Sequence, residues 1–295
     1  MMFYRRKILL GLLQIFGSEL DKLSFQKLLM LFSKAQTNPD FDFVPYKFGC
    51  FSFQANADMS TMIKYGQVSE NERKWLKIDA EDYLSLLKEN DKKTLVKLKS
   101  LYSGKSKDDL IRYTYIKYPY YAINSTIAKN VLNTNEYFAV ESAKPAFGST
   151  VLFTIGYEGL SLEVYLNKLI LNGVKLLCDV RKNSLSMKYG FSKSQLKNAC
   201  EGVGITYEHI PDLGIDSDKR QELKIQSDYD KLFQQYKRET LTRTKYQQEH
   251  LLELLKKHKR IALTCFEANI CQCHRKHLAE AVTMLPGFDY ELKHI

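Results

Sequence analysis

The chain has 295 residues, of which 44% are hydrophobic, 26% charged and 12% aromatic, with six prolines. These proportions belong to a globular protein, leave room for two domains with separate cores, and exclude a disordered or low-complexity chain. The formal net charge of +10 is spread over both halves and suits a polyanionic partner, although many basic proteins carry such a surplus simply for solubility.

The opening "MMFYRRKILLGLLQIFGSEL" mimics a secretory leader, with Arg5, Arg6 and Lys7 ahead of an apolar run. Gln14 interrupts that run and no small-residue cleavage pattern follows, so the segment reads as the first helix of a folded domain. No stretch approaches the roughly 18 apolar residues of a membrane span. Six scattered cysteines form no disulfide framework, and the expectation is a cytoplasmic protein with no membrane partner.

In "RRKILLGLLQIFG", Ile8, Leu9, Leu12, Leu13 and Phe16 recur at helical spacing, and Gly17 ends the helix. "LSFQKLLMLFSKAQ" predicts a second helix, with Ser24 as its cap and Phe25, Leu28, Leu29 and Phe32 on one face. The short interval between them suits a helix-turn-helix or a helical hairpin. "FDFVPYKFGCFS" reads as a loop or short strand entering a helix from Phe53 to Lys64, stopped by Gly66. "QVSENERKWLKI" then has the character of a hairpin, the wing of a winged-helix-like module. "DAEDYLSLLKENDKKTLVKLKSLYSG" predicts one or two amphipathic helices, and the tyrosine-rich "RYTYIKYPYYAI" suits either core packing or a protein interface. These residues, 1–140, form a mainly helical domain, and 141–150, with Pro145 and Gly148, form the linker.

From Val151 the rhythm becomes strand, loop, helix. "VLFTIGYEG", "VKLLCDVRKN", "ITYEHIPDLG" and "KRIALTCFEA" are apolar strands with polar C-terminal ends. "LSLEVYLNKLILNG", "FSKSQLKNACEGVG", a long helical region from about Asp218 to Lys257 and "QCHRKHLAEAVTML" are the helices between and after them. "GFDYELKHI" predicts an edge strand. The expectation for 151–295 is an α/β domain, a Rossmann-like, mostly parallel sheet covered by helices, with its site beyond the C-terminal ends of the strands.

That arrangement gathers unusual polar residues on one rim. The first strand delivers Gly156, Tyr157, Glu158 and Gly159, the second Asp179, Arg181 and Lys182. The third delivers His209 and Asp212, the fourth Cys265 and Glu267. Asp179, directly after an apolar strand, requires a partner, Arg181 or a backbone amide. "TIGYEG" has neither dinucleotide nor phosphate-loop spacing; its glycines imply a tight turn or a close approach to the backbone. "RKNSLSMKYGFSKSQ" interleaves Arg181, Lys182, Lys188 and Lys193 with Tyr189 and Phe191, a pattern suited to a nucleotide backbone with stacked bases.

"TCFEANICQCHRKHLAE" holds three cysteines and two histidines in the order C-x5-C-x-C-H-x2-H. Structural zinc sites pair their ligands at two to four residues, twice over, so this spacing matches none of them. On a continuous final helix, His274 points toward the apolar face, and Cys273 and His277 stand at i and i+4. Cys265 would then join from the strand end. The reading is a pocket corner in which Cys265 and Cys273 are small buried groups, with neither metal nor cofactor expected. A bound metal, completed by a fourth ligand such as His209 or Glu267, and a cysteine nucleophile at Cys265 or Cys273, with His274 or His209 as base, are the two minority readings.

Taken together, "TIGYEGLSLEVYLNKLILNGVKLLCDVR", "YGFSKSQL", "YEHIPDLG" and "CFEANICQCHRKHLAEAV" resemble the bacterial and archaeal family known as domain of unknown function 488. The resemblance covers nearly all of 150–286 and implies a compact α/β sheet domain with no reaction attached to it. It maps the family's characteristic residues onto Gly156, Tyr157, Asp179, Arg181, Gly190, Phe191, Ser192, His209, Leu213, Gly214, Cys265, Glu267, Cys273, His274 and Arg275. A proline and a second arginine common in members stand here as Ser184 and Met187, which leaves Lys182 and Lys188 to compensate for the missing arginine. "FQKLLMLF" and "FVPYKFGCFSFQ" resemble the helix-turn-helix-like extension of some members, and loosely the helical domains of antitoxin or phage-defence proteins.

The expected function is that of a nucleic-acid-associated protein, DNA favoured over RNA, with a phosphate- or nucleotide-binding pocket at the sheet edge. In that pocket Arg181 and Arg275 contact phosphate, Asp179 and Glu267 orient them or place a water, and His209 and His274 shuttle a proton if chemistry occurs. A hydrolase or transferase acting on a nucleotide or modified base is the second reading. An antitoxin-like or defence-complex module, binding a protein through the N-terminal domain, is the third.

Overall fold

The computed structural model describes residues 2–220 and 223–295. The chain divides into two compact units, Met1–Lys144 and Pro145–Ile295.

In the N-terminal unit the elements run α1 (Tyr4–Ile15), β1 (Glu19–Asp21), α2 (Lys22–Ala35), β2 (Val44–Tyr46), β3 (Gly49–Phe51) and α3 (Phe53–Lys64). They continue as β4 (Val68–Glu70), β5 (Lys74–Lys77), α4 (Glu89–Tyr102), α5 (Lys107–Lys117), α6 (Ala128–Val131) and α7 (Thr134–Ser142). Strands β1, β5 and β4 form an antiparallel sheet in that order, and β2–β3 is a separate hairpin. Helix, strand, two helices and a two-stranded wing, with the first strand beside the last, is a winged-helix arrangement carrying the β2–β3 hairpin as an insertion.

One local expectation is corrected here. Asp21 rather than Ser24 caps α2, its carboxylate accepting from the amides of Leu23 and Ser24, while Ser24 lies buried in the first turn. The segment 79–102, expected to hold one or two helices, holds one, α4, and Gln14 of α1 bonds the Asp82 carboxylate and the Tyr83 amide in the turn before it. Of the basic cluster near the N-terminus, the partly buried Arg5 and Arg6 both grip the buried Asp58 of α3, at 2.6 and 2.7 Å. Of the tyrosine-rich stretch, Tyr115 is buried and Tyr113, Tyr118 and Tyr121 pack against the core of this unit.

The C-terminal unit is built from β6 (Val151–Gly156), α8 (Leu162–Leu171), β7 (Leu176–Asp179), α9 (Lys193–Gly202), β8 (Thr206–His209) and α10 (Gln226–Tyr236). It ends with α11 (Lys245–His258), β9 (Arg260–Cys265), α12 (His274–Thr283) and β10 (Glu291–His294). Its five strands lie in the order β10-β6-β9-β7-β8, all parallel. Every residue of β6, β7 and β9 is buried, which is why these strands read as unbroken apolar runs: helices cover both faces. The predicted long helix around 218–257, part of which (221–222) lies outside the described residues, is broken by a π-helical turn at Lys237–Leu241 that separates α10 from α11. Among the described residues, no helix is long and apolar enough to cross a membrane.

Candidate functional site

The C-terminal ends of β6, β7 and β9 lie side by side, with β9 between the other two, on the edge of the sheet where open α/β sheets bind ligands. Asp179, the last residue of β7, is fully buried. Arg181 turns back on it as a fork, Nε to Oδ1 at 2.8 Å and Nη2 to Oδ2 at 2.5 Å. The Arg181 amide adds a third bond to Oδ1 at 3.2 Å, and Tyr207 of β8 donates its hydroxyl to Oδ2 at 2.7 Å. The other end of the guanidinium donates through Nη1 to the Tyr157 hydroxyl at 2.7 Å and to the Phe191 carbonyl at 2.9 Å. Burial by itself pulls the Arg181 pKa down, but the hydrogen bonds and charges of Asp179 and Tyr157 outweigh it and hold the cation firmly charged. Burial and the charge of Asp179 likewise raise the Tyr207 phenol.

Arg181 is thus the partner Asp179 requires, and four of its five N–H groups point into the protein. Tyr157 and Phe191 stack beneath it with ring centroids 4.3 Å apart and 8° between planes, both buried. Arg275 is also buried. It donates to the carbonyls of Glu267 and Ala268, which fixes the loop after β9. The sequence reading aims both forks at phosphate; the structure turns them to internal carboxylate and carbonyl groups.

The segment between Asp179 and Arg181 joins two clusters. His274 Nε2 donates to the Val180 carbonyl at 3.1 Å, and His209 Nε2 to the Arg181 carbonyl at 2.9 Å. A carbonyl only accepts, so each ring carries its proton on Nε2. His274 thereby turns Nδ1 toward Cys265 Sγ, 3.7 Å away, and the same sulfur lies 3.1 Å from Glu267 Oε2. Cys265, Cys273 and His274 are all buried, and burial, reinforced by the neighbouring Cys265 and Glu267, holds the Cys273 thiol well above its ordinary pKa.

This grouping differs from the expected one. Cys273 has extended backbone, φ −130° and ψ 132°, and α12 starts only at His274. Cys273 and His277 therefore share no helix face. His277 instead packs on Phe233, 4.8 Å between ring centroids, and His274 is the imidazole that meets the cysteines.

Above these residues lies an open cleft of about 420 Å³. One wall is the loop after β7, through Lys182, Asn183, Leu185, Ser186, Met187 and Lys188; Tyr157, Arg181, Ile215, Cys265 and Phe266 complete it. The loop is tied in place: the Ser192 hydroxyl bonds both N and O of Ser186, and Lys193 N reaches Ser184 O at 3.0 Å. Lys188 Nζ donates to the Tyr157 carbonyl at 2.9 Å, and partial burial pulls its ammonium pKa down against the opposing charge of Glu158. Lys182 stands 3.7 Å from Asp212. Glu158 is exposed and accepts from the Ala268 amide at 2.9 Å. Tyr189 and Lys193 are exposed but are not among the residues lining the cleft.

Sequence reasoning missed Tyr207, the second donor to Asp179, and Phe266, 42% exposed in the cleft wall. Tyr207 carried a signal, since it precedes His209 by two residues and so shares its face of β8. Phe266 carried none, because it lies past the end of β9. Gly156 is placed by a close approach: a Cβ there would lie 1.9 Å from the Glu267 carbonyl oxygen. No curated protein and no solved structure matches the chain. Residues 161–282, however, match the model of the family described as "Domain of unknown function DUF488", and the C-terminal α/β unit is accordingly a DUF488 domain.

Proposed function

We propose that the protein associates with nucleic acid and that the cleft of its DUF488 domain receives a phosphate group of the bound strand. The observation that carries this reading is the loop 181–195. It holds four basic residues and no acidic one, and it places Lys182 and Lys188 in a cleft at the C-terminal edge of a parallel sheet. Arg181 and Arg275 serve as internal struts for that cleft, and the contact to phosphate falls to the lysines. Phe266 offers a partly exposed ring against which a base can stack. The winged-helix arrangement of the N-terminal unit supports DNA over RNA, with α3 and the β4–β5 turn as its contacts.

Affinity for duplex DNA, single-stranded DNA and RNA should be measured across a salt series. Phosphate contacts make log K fall linearly with log salt, by nearly one unit per contact. Lys182→Ala/Lys188→Ala should therefore flatten the slope on DNA by about 2. Absence of binding to all three at low salt removes the proposal, and an unchanged slope in the variant removes the cleft from it.

A second reading, a hydrolase or transferase acting on a nucleotide or modified base, is favoured by the Cys265–His274 pair beside the cleft. In that case a small phosphorylated compound raises the melting temperature of the wild type by mass action.

A further inference from the structure

Two cysteines, a histidine and a carboxylate converge behind the wall of the cleft, and they reach it from two stretches of the chain, 265–267 and 273–274. Cys265 ends β9, Cys273 precedes α12 in extended conformation, and His274 opens that helix. One ligand atom from each of Cys265, Cys273 and His274 lies within 4.8 Å of the other two. Glu267 brings Oε2 to 3.1 Å from the Cys265 sulfur.

We propose that Cys265, Cys273 and His274 bind a transition-metal ion, zinc by ligand type, with Glu267 as its fourth and exchangeable ligand. Zinc holds sulfur at about 2.3 Å and nitrogen at about 2.0–2.1 Å, so tetrahedral geometry sets the two roughly 3.6 Å apart. Cys265 Sγ and His274 Nδ1 stand at 3.7 Å. Metal-bound imidazoles nearly always donate their other nitrogen to a carbonyl or carboxylate, which fixes tautomer and ring orientation. His274 does so to Val180, and that bond turns Nδ1 toward the sulfur. Two sulfurs and one imidazole select zinc or copper(I) over magnesium or calcium, which require oxygen ligands.

The ligand spacing hid this site from pattern reading. Cys273 and His274 are adjacent, a pairing that a helix or tight loop does not bring onto one ion. It works here because the chain changes from extended to helical between them. Glu267 is half-buried whereas the other three are buried, so it is the ligand a small molecule can replace. Since Cys265 also lines the cleft, the ion stands at its inner wall. The proposal does not depend on the cleft's preference for phosphate.

The test uses the full chain purified under reducing conditions without chelator. Elemental analysis should find about one zinc per chain. After removal of zinc, cobalt(II) should give the d–d absorption of a tetrahedral ion together with a thiolate charge-transfer band. Cys273→Ser should weaken that band, while Cys271→Ser, which alters the exposed cysteine, should leave it unchanged. Glu267→Gln should lower zinc affinity at least about 10-fold, the scale set by altering a group that supports a bound metal. Lys182→Ala/Lys188→Ala should retain full metal content, so failure of the phosphate reading leaves this result untouched. Wild-type protein with no zinc and no thiolate band on cobalt overturns the proposal. So does a band that disappears with Cys271→Ser, whether or not the Cys273 variant folds.

Discussion

Replacing Asp179 with asparagine should destabilise the C-terminal unit by about 3–5 kcal/mol, the cost of leaving one member of a buried ion pair without its counter-charge. Arg181 is only 5% exposed and Asp179 fully buried, so water cannot take over when the carboxylate charge is removed. The two aromatic groups that share the site cannot compensate either: Tyr207 donates to the carboxylate and Tyr157 accepts from the arginine. Guanidinium denaturation followed by circular dichroism measures the effect; the only tryptophan, Trp75, lies in the N-terminal unit and reports on that part. Removing both charges in Asp179→Leu/Arg181→Met should recover much of the loss, since buried pairs are often replaceable by apolar groups of similar size. A loss for Asp179→Asn under about 1 kcal/mol, within the range of a solvated pair, would show that Arg181 is charge-compensated from outside this network. A variant of full stability whose ligand-dependent activity has vanished would instead make Asp179 a reacting group.

Gly156→Ala should cost about 3 kcal/mol, at the upper end of what forced overpacking in a core produces. Its Cβ would meet both the oxygen of Glu267 at 1.9 Å and the carbonyl carbon at 2.7 Å. These are backbone atoms held by Arg275, so the loop after β9 must move as a body. Gly159→Ala, only three residues on, tests the opposite mechanism. Gly159 has φ of +76° with nothing within 4 Å of a Cβ, and the expected loss is the ~1–2 kcal/mol of a left-handed alanine. If Gly156→Ala proves no worse than Gly159→Ala, the approach of the Glu267 loop to β6 is wrong.

The elements of the DUF488 domain were readable because its central strands are buried on both faces. "VLFTIG" and "RIALTC" have no polar alternation to confuse with a surface strand, and Gly173, with φ of +64°, ends α8 where the sequence stops it. The break between α10 and α11 was not readable, because the amphipathic pattern runs through the π-helical turn without a proline or glycine to mark it. At the site, the residue types gathered at the strand ends could be read from chain order alone. Their partners could not. The bond from Arg181 Nη1 to the Phe191 carbonyl, 2.9 Å long, spans a loop whose path no periodicity describes. An arginine in such a place looks the same in sequence whether its fork faces a ligand or its own chain. Cys273 illustrates the same limit: extending the last helix by one residue rotated it toward His277 and away from its neighbours Cys265 and His274.

The proposed seat of a nucleic acid strand is the cleft over the ends of β6, β7 and β9. Amide hydrogen exchange, recorded with and without a saturating short oligodeoxynucleotide at low salt, tests it most directly. Slower exchange concentrated in residues 182–188 and 266–268 is the predicted result. Bound oligonucleotide with unchanged exchange in both segments would contradict it.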